Sequence, residues 1–315
     1  MEQQDKKKIQ KIRDLLEWCR DILLVVGGIS LLVALVVLGK GVFDDAQTEK
    51  QQQELRAMVD AAARKRGQAT QEAPAEAVRV EAEEPESAAE VAAGMVGQEW
   101  EPEVFEETPL SMLPEYAGLY QANNDLAGWL WIPDTGIDYP VMQTPEDPYH
   151  YLRRDFYGKS NSNGCLFADT ASVLGKGKKA YDYAEGNAPG TNLIIYGHHM
   201  RSREMFGRLD LYAGRDYGMA HNIICFDTLY EHREYQLVSV FLTQIYHVDE
   251  EVFKYYQFFS ADTEEQFYYF YDNIKQMSLY DTGVTAEFGD EFISLSTCDD
   301  YTENGRLVVV GKRIL

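Results

Sequence analysis

Positive charge is in short supply in this chain. Lys and Arg together number 29 against 52 Asp and Glu, for a formal net charge of -23. A nucleic-acid partner is excluded on that ground, because binding a phosphate backbone needs a basic footprint. Cysteine is also sparse, with four residues in 315, too few for a disulfide framework. Cys19 precedes a long apolar run, which leaves Cys165, Cys225 and Cys298 beyond it. An odd number cannot all pair. Cys298 is expected to be free, and Cys165 and Cys225 to be ordinary small buried residues. Metal-ligand spacing is missing too: no HxxxH or CxxC occurs, and the adjacent His198 and His199 would point to opposite faces of a strand. Neither a metal nor another cofactor is expected.

Charge is absent altogether from residues 22–38, ILLVVGGISLLVALVVL. That length sits at the lower end of the roughly 17–25 residues needed to span a bilayer as a helix. Lys6, Lys7, Lys8, Lys11, Arg13 and Arg20 precede it, and Asp44, Asp45 and Glu49 follow with Lys40 and Lys50. The positive-inside rule puts the N-terminus in the cytoplasm and the body of the chain outside. The residues after the run, Gly39-Lys40-Gly41-Val42-Phe43, make a poor signal-peptide cleavage site, so an uncleaved anchor is expected. Four regions follow: a basic cytoplasmic segment at 1–21, a transmembrane helix at 22–39, a spacer at 40–108 and a globular domain at 109–315. Within the spacer, residues 48–66 suit a polar helix. The Ala/Glu/Pro-biased stretch after it reads as a disordered, self-repelling tether that holds the domain away from the membrane.

The domain reads as mainly β. Short apolar runs recur at 129–132, 138–142, 165–167, 192–196, 222–226 and 234–246, separated by turn signals such as Pro133-Asp134-Thr135-Gly136 and Asn161-Ser162-Asn163-Gly164. That rhythm suggests a barrel or sandwich. One stretch breaks it. From Asp262 the chain reads DTEEQFYYFYDNIKQM, with a capping-box pattern at Asp262 and Glu265 and Phe267, Phe270, Tyr271 and Ile274 at helical spacing. A helix packing an aromatic face on the sheet is expected there. A further helix is expected to end in the turn around 119–125.

The chemistry concentrates at three strand ends. Cys298 closes the run Phe292-Ile293-Ser294-Leu295-Ser296-Thr297, and Arg306 opens Arg306-Leu307-Val308-Val309-Val310 after a polar loop ending Asn304-Gly305. Antiparallel pairing of these runs brings thiol and guanidinium together, and a nearby cation favours the reactive thiolate. The run 192–196 ends in Gly197-His198, which offers an acid–base partner at a third strand end. Cys, His and Arg so arranged suit acyl transfer.

Tyr196-Gly197-His198, Leu295-Ser296-Thr297-Cys298 and Arg306 together resemble the signature of sortases, the membrane-anchored transpeptidases of Gram-positive bacteria. The YGHHM context and the helix before the Cys-bearing strand are similar to class B. Ser294 departs from the Thr that many members carry there. The resemblance implies an eight-stranded barrel with N-terminal helices and an inserted helix, and a metal-independent two-step transpeptidation. Cys298 would attack the carbonyl of a Thr in the C-terminal sorting signal of a secreted protein, and the thioester would pass to an amine of a peptidoglycan precursor. In other members that amine is a pilin lysine, and a surface cysteine peptidase is a further alternative. His198 would serve as acid and base and Arg306 as oxyanion donor. Tyr196 and Ser296, two residues before His198 and Cys298 on the same strand faces, and Asn163 in its turn, are expected to line the substrate groove.

Overall fold

A computed structural model describes residues 2–72, 111–175, 189–299 and 305–315. Eight strands form a closed barrel in the order β1-β2-β3-β4-β7-β8-β6-β5. They are β1 (Leu126–Ile132), β2 (Ile137–Met142), β3 (Leu166–Ala168), β4 (Asn192–Gly197), β5 (Ile223–Thr228), β6 (Glu234–Gln244), β7 (Phe292–Asp299) and β8 (Gly305–Arg313). Each falls within a residue or a few of an apolar run in the sequence. Antiparallel pairing of β1 with β5 closes the barrel, while β2 with β3 and β4 with β7 run parallel.

The barrel is filled by one set of alternating side chains. Leu130, Ile195, Phe226, Val240, Leu295, Leu307 and Val309 lie in the interior cluster. Their neighbours Val308 and Val310 belong instead to a second cluster, with Phe267, Phe270 and Ile274. Both faces of β8 are therefore covered, which explains why it reads as a continuous apolar run rather than an alternating one. The outer cover is α4 (Glu264–Met277). Its cap lies one residue later than the sequence pattern suggested. Thr263 accepts from the Gln266 N–H, and the Gln266 side chain accepts from the Asp262 N–H. With Thr263 as cap, Phe267, Phe270 and Ile274 are fully buried, and Phe270 stacks on Phe258 with ring centroids 4.2 Å apart.

Two further helices precede the barrel. α2 (Pro114–Ala122) starts on a proline, whose missing N–H costs nothing at a first helical position. α1 (Glu2–Glu72) is a single helix that contains the whole apolar run. Side chains of that run, such as Leu23, Leu32 and Val37, stand exposed. About 17 helical residues rise ~26 Å, close to the hydrocarbon thickness of a bilayer. The same helix then packs on the domain. Asp44, Thr48 and Leu55 are buried, Leu55 joins Tyr116, Leu119 and Phe156 in a third apolar cluster, and Arg56 pairs with Asp138. The polar helix expected over 48–66 is thus part of α1, which begins well before residue 48 and docks on the domain. The acidic stretch at 73–110 and the loop at 300–304 lie outside the described residues. A short helix, α3 (Arg215–Ala220), had no clear sequence signal.

Candidate active site

Register brings the three strand ends together. β7 and β8 pair antiparallel with Cys298 directly opposite Arg306. β4 and β7 pair in parallel up to Gly197 opposite Thr297, so His198 and Cys298 are the next residues on adjacent strands. The Thr297 hydroxyl donates to the Gly197 carbonyl at 2.9 Å, tying the two strand ends at the step before His198 and Cys298. Glycine is required at 197 because an added Cβ would lie 2.5 Å from Leu166 and 2.6 Å from Phe206. β4 therefore sits tight on the core up to the residue that precedes His198.

A groove of about 490 Å³ opens here, lined by Tyr196, His198, Ser296, Thr297 and Arg306 together with Tyr149, Leu152, Phe167, Asp169, Ile245 and Tyr256. Its mixture of rings, aliphatic side chains and a few polar groups suits an extended peptide. His198 is half-buried, and its Nε2 lies 2.6 Å from the Leu152 carbonyl oxygen. A carbonyl only accepts, so Nε2 carries the proton and Nδ1 is left to exchange one. Burial pushes the imidazole below its ordinary 6.5; the Leu152 acceptor works against this and the positive charge of Arg153 works with it. The ring is therefore neutral at pH 7.

Tyr196 donates its hydroxyl to the Asp169 carboxylate at 3.0 Å and packs on Phe167. Burial and the neighbouring Tyr255 and Asp169 push its phenol well above the usual range, so it stays a neutral donor. Ser296 shares a 2.7 Å hydrogen bond with the Tyr255 hydroxyl. The Asp169 turn is held in turn by Gln143, which donates to the Asp169 and Ser172 carbonyls. Arg306 donates to the Gly305 carbonyl, which orients its guanidinium from the strand side. Ser294 is fully buried and donates to Asn192, a bond that a threonine hydroxyl could also make.

Asn163 and His199 lie away from the groove. Asn163 is fully buried, but its side chain donates to Asp45 and Thr48 of α1 at 2.9 and 3.2 Å, and it is not among the residues lining the groove. In this structure α1 covers the turn that carries it, and Asn163 helps to dock that helix. His199 turns away from His198, with its Nε2 3.7 Å from the Asp210 carboxylate. Sequence reasoning missed Leu152, Asp169 and Tyr255. Leu152 acts through a main-chain carbonyl, which no residue type announces, Asp169 lies in a turn after β3, and Tyr255 opens a single 3-10 turn too short to show periodicity.

Comparison with known proteins agrees with this architecture. The family model described as "Sortase domain" matches residues 130–314. Sortase B of Listeria monocytogenes is 32% identical over 208 residues, covering 64% of this chain and 74% of that protein. Among solved structures, the Staphylococcus aureus sortase B–substrate complex superposes with a TM-score of 0.53 at 28% identity, covering 64% of this chain and 86% of its own. A sortase B complexed with triglycine gives 0.54 at 28% identity, covering 64% and 86%. The chain belongs to the sortase family. Within that family it is a class B sortase, and so a cysteine transpeptidase.

Proposed function

We propose that this transpeptidase joins secreted proteins to a cell-surface amine through a thioester on Cys298. The observation that carries the reading is the register that sets Cys298 opposite Arg306 and level with His198 beside the groove. The Cys298 thiolate attacks the carbonyl carbon of a Thr in a C-terminal sorting signal, and the C–N bond then breaks. The neutral His198 imidazole takes the thiol proton as this thiolate forms, the imidazolium so made passes that proton to the leaving amine, and the acyl group stays as a thioester. An incoming amine attacks the thioester, gives its proton to the neutral imidazole and releases the thiolate. Arg306 donates to the oxyanion in both steps, a contribution typically worth about 2.7–4 kcal/mol of barrier. Tyr196 and Ser296 border the bound signal.

The acceptor we favour is an amine of a peptidoglycan precursor. The neighbouring sortase B with triglycine bound supports an acceptor of that kind, and the substrate complex of another supports a peptide donor in the groove. The charge-free run of α1 anchors the chain in the cell membrane as a single pass. The basic residues before it keep the N-terminus in the cytoplasm and the catalytic domain outside.

Intact mass of the full chain in detergent, incubated with a panel of sorting-signal peptides, tests the reading. The expected result is an adduct equal to the fragment through Thr, absent in Cys298→Ala and discharged by an added glycine peptide. Release of free acid alone, with no transfer to the amine, would point to a peptidase. No adduct together with an unreactive Cys298 would refute the thioester.

A further inference from the structure

We infer that the polar face of α1 just beyond the apolar run positions His198, acting through the loop at 153–164 and the carbonyl of Leu152. The inference rests on the reading of His198 as the acid–base residue.

The connection can be followed bond by bond. Leu152 lies in a 3-10 turn, His150–Arg153, and its carbonyl accepts from His198 Nε2 at 2.6 Å. The loop after it is closed by the Asn161 N–H donating to the Arg153 carbonyl at 3.1 Å and the Cys165 N–H donating to the Tyr151 carbonyl at 3.0 Å. Those two bonds bracket Leu152, so a shift of residues 161–165 is passed to it. α1 holds this loop. Asp44 accepts from both the N–H and the hydroxyl of Ser162, at 3.0 and 2.6 Å. Thr48 accepts from Asn161 and Asn163, at 3.1 and 3.2 Å. Gln47 and Gln51 both donate to the carboxylate of Asp155, whose other oxygen caps the N–H groups of Tyr157 and Lys159.

Gly164 shows how little slack the loop has. It sits at φ +63°, and an added Cβ would lie 2.5 Å from the Leu152 carbonyl oxygen and 2.6 Å from that of Tyr151. A helix that only anchored the domain would need an apolar contact such as Leu55. Here five polar side chains of α1 converge on the one loop whose carbonyl holds His198. Among the described residues, Arg153 acts on that ring by its charge and Asp169 and Arg306 line the groove beside it; α1 lines none of the groove, so its influence is positional.

The test uses the full chain in detergent and the nearly isosteric Thr48→Val, which removes two acceptor contacts from the loop. Glu49→Ala, on the exposed side of the same turn, serves as control and Thr48→Ser as rescue. Two quantities are read: the His198 imidazole pKa by NMR, and the kcat–KM split for peptide transfer. Loosening the Leu152 acceptor lowers the imidazole pKa, because that bond favours the charged ring. The expected result for Thr48→Val is a lower pKa and a kcat down about tenfold at similar KM, since sub-ångström misplacement has costs of that order. Glu49→Ala and Thr48→Ser should match the parent. An imidazole pKa that is unchanged or raised in Thr48→Val overturns the inference, even where thermal stability falls. His198→Ala is assayed alongside. Retained transfer in that variant refutes the acid–base reading, whereas the NMR comparison decides the positional claim independently of activity.

Discussion

Thr297→Val tests whether the clamp between β4 and β7 sets the catalytic geometry. The substitution keeps shape and β-branching, so strand propensity is little changed. It removes the one hydroxyl that donates to the Gly197 carbonyl at 2.9 Å, at a site only 2% exposed. A neutral hydrogen bond contributes about 1 kcal/mol net, and a buried carbonyl left short of a partner costs about 1–3 kcal/mol. A loss of about 2 kcal/mol is therefore expected, and in a domain of this size it lowers Tm by about 4–8 °C. The effect on rate should exceed what stability alone implies. The lost bond lies at the last paired step before His198 and Cys298, and a relative slip of a few tenths of an ångström there lowers acylation about tenfold. Thermal unfolding of the full chain in detergent and the rate of acyl-enzyme formation by intact mass are the two assays. Thr297→Ser, which keeps the hydroxyl, should restore both. A Val variant with parental Tm and acylation rate would refute the reasoning. A drop in Tm with an unchanged rate would show that the clamp stabilises the strands without setting the site.

Three other outcomes are expected. Arg153→Gln removes a cation that helps hold the His198 imidazole down, so the His198-dependent limb of the pH–rate profile should move toward higher pH. The shift should shrink at high salt because Arg153 is exposed. Burial raises the Asp44 carboxyl, but the Ser162 hydroxyl and N–H and the charge of Lys40 outweigh it and hold the group below 3.8. The stability it contributes is present above 3.8 and lost as pH falls through the lower folded-state value. Asp44→Asn should flatten that acid limb of a Tm–pH curve. Burial pushes the Cys225 thiol up to about 11 and the Cys165 thiol further still. Neither should alkylate at neutral pH in the folded chain, and peptide mapping with and without denaturant checks this.

The barrel was legible because its strands obey local rules. Each of the eight coincides with an apolar run between turn residues, and the Asn304-Gly305 signal marked the β7–β8 pair. Side-chain alternation put Tyr196 and Ser296 on the strand faces of His198 and Cys298, and both line the groove. What escaped notice works through main chain or through polar docking. The Leu152 carbonyl has no sequence signature. The docked stretch of α1 buries Leu55 but otherwise meets the domain with Asp44, Thr48, Gln51 and Gln52, residues whose usual meaning is solvent. Periodicity finds faces that bury hydrocarbon, and this face buries hydrogen bonds. The burial of Asn163 escaped notice for the same reason, since an Asn in a turn looks exposed unless a second element covers it.

That docking also changes what sets the distance between the groove and the proposed membrane anchor. A fully flexible chain of about 70 residues would have an r.m.s. reach of ~45 Å. The helix instead carries the chain straight from the apolar run onto the domain. At about 1.5 Å per residue, the contacts from Asp44 to Leu55 fall ~9–26 Å beyond Leu38. The connection from α1 to α2 does not alter this, because Leu55 of α1 and Tyr116 and Leu119 of α2 already share one apolar cluster. Under the proposed anchoring of residues 22–38, α1 would hold the domain close to the membrane surface. Under the proposed function, an enzyme so held would meet its donor and its acceptor amine at the membrane surface. Lengthening the helix between Leu38 and Asp44 by one full turn would preserve the docked face and raise the groove by ~5 Å. Transfer between soluble peptides should then stay at its parental rate, while transfer to a membrane-embedded acceptor falls. Equal rates on both acceptors would mean that the helix holds the domain without setting its height.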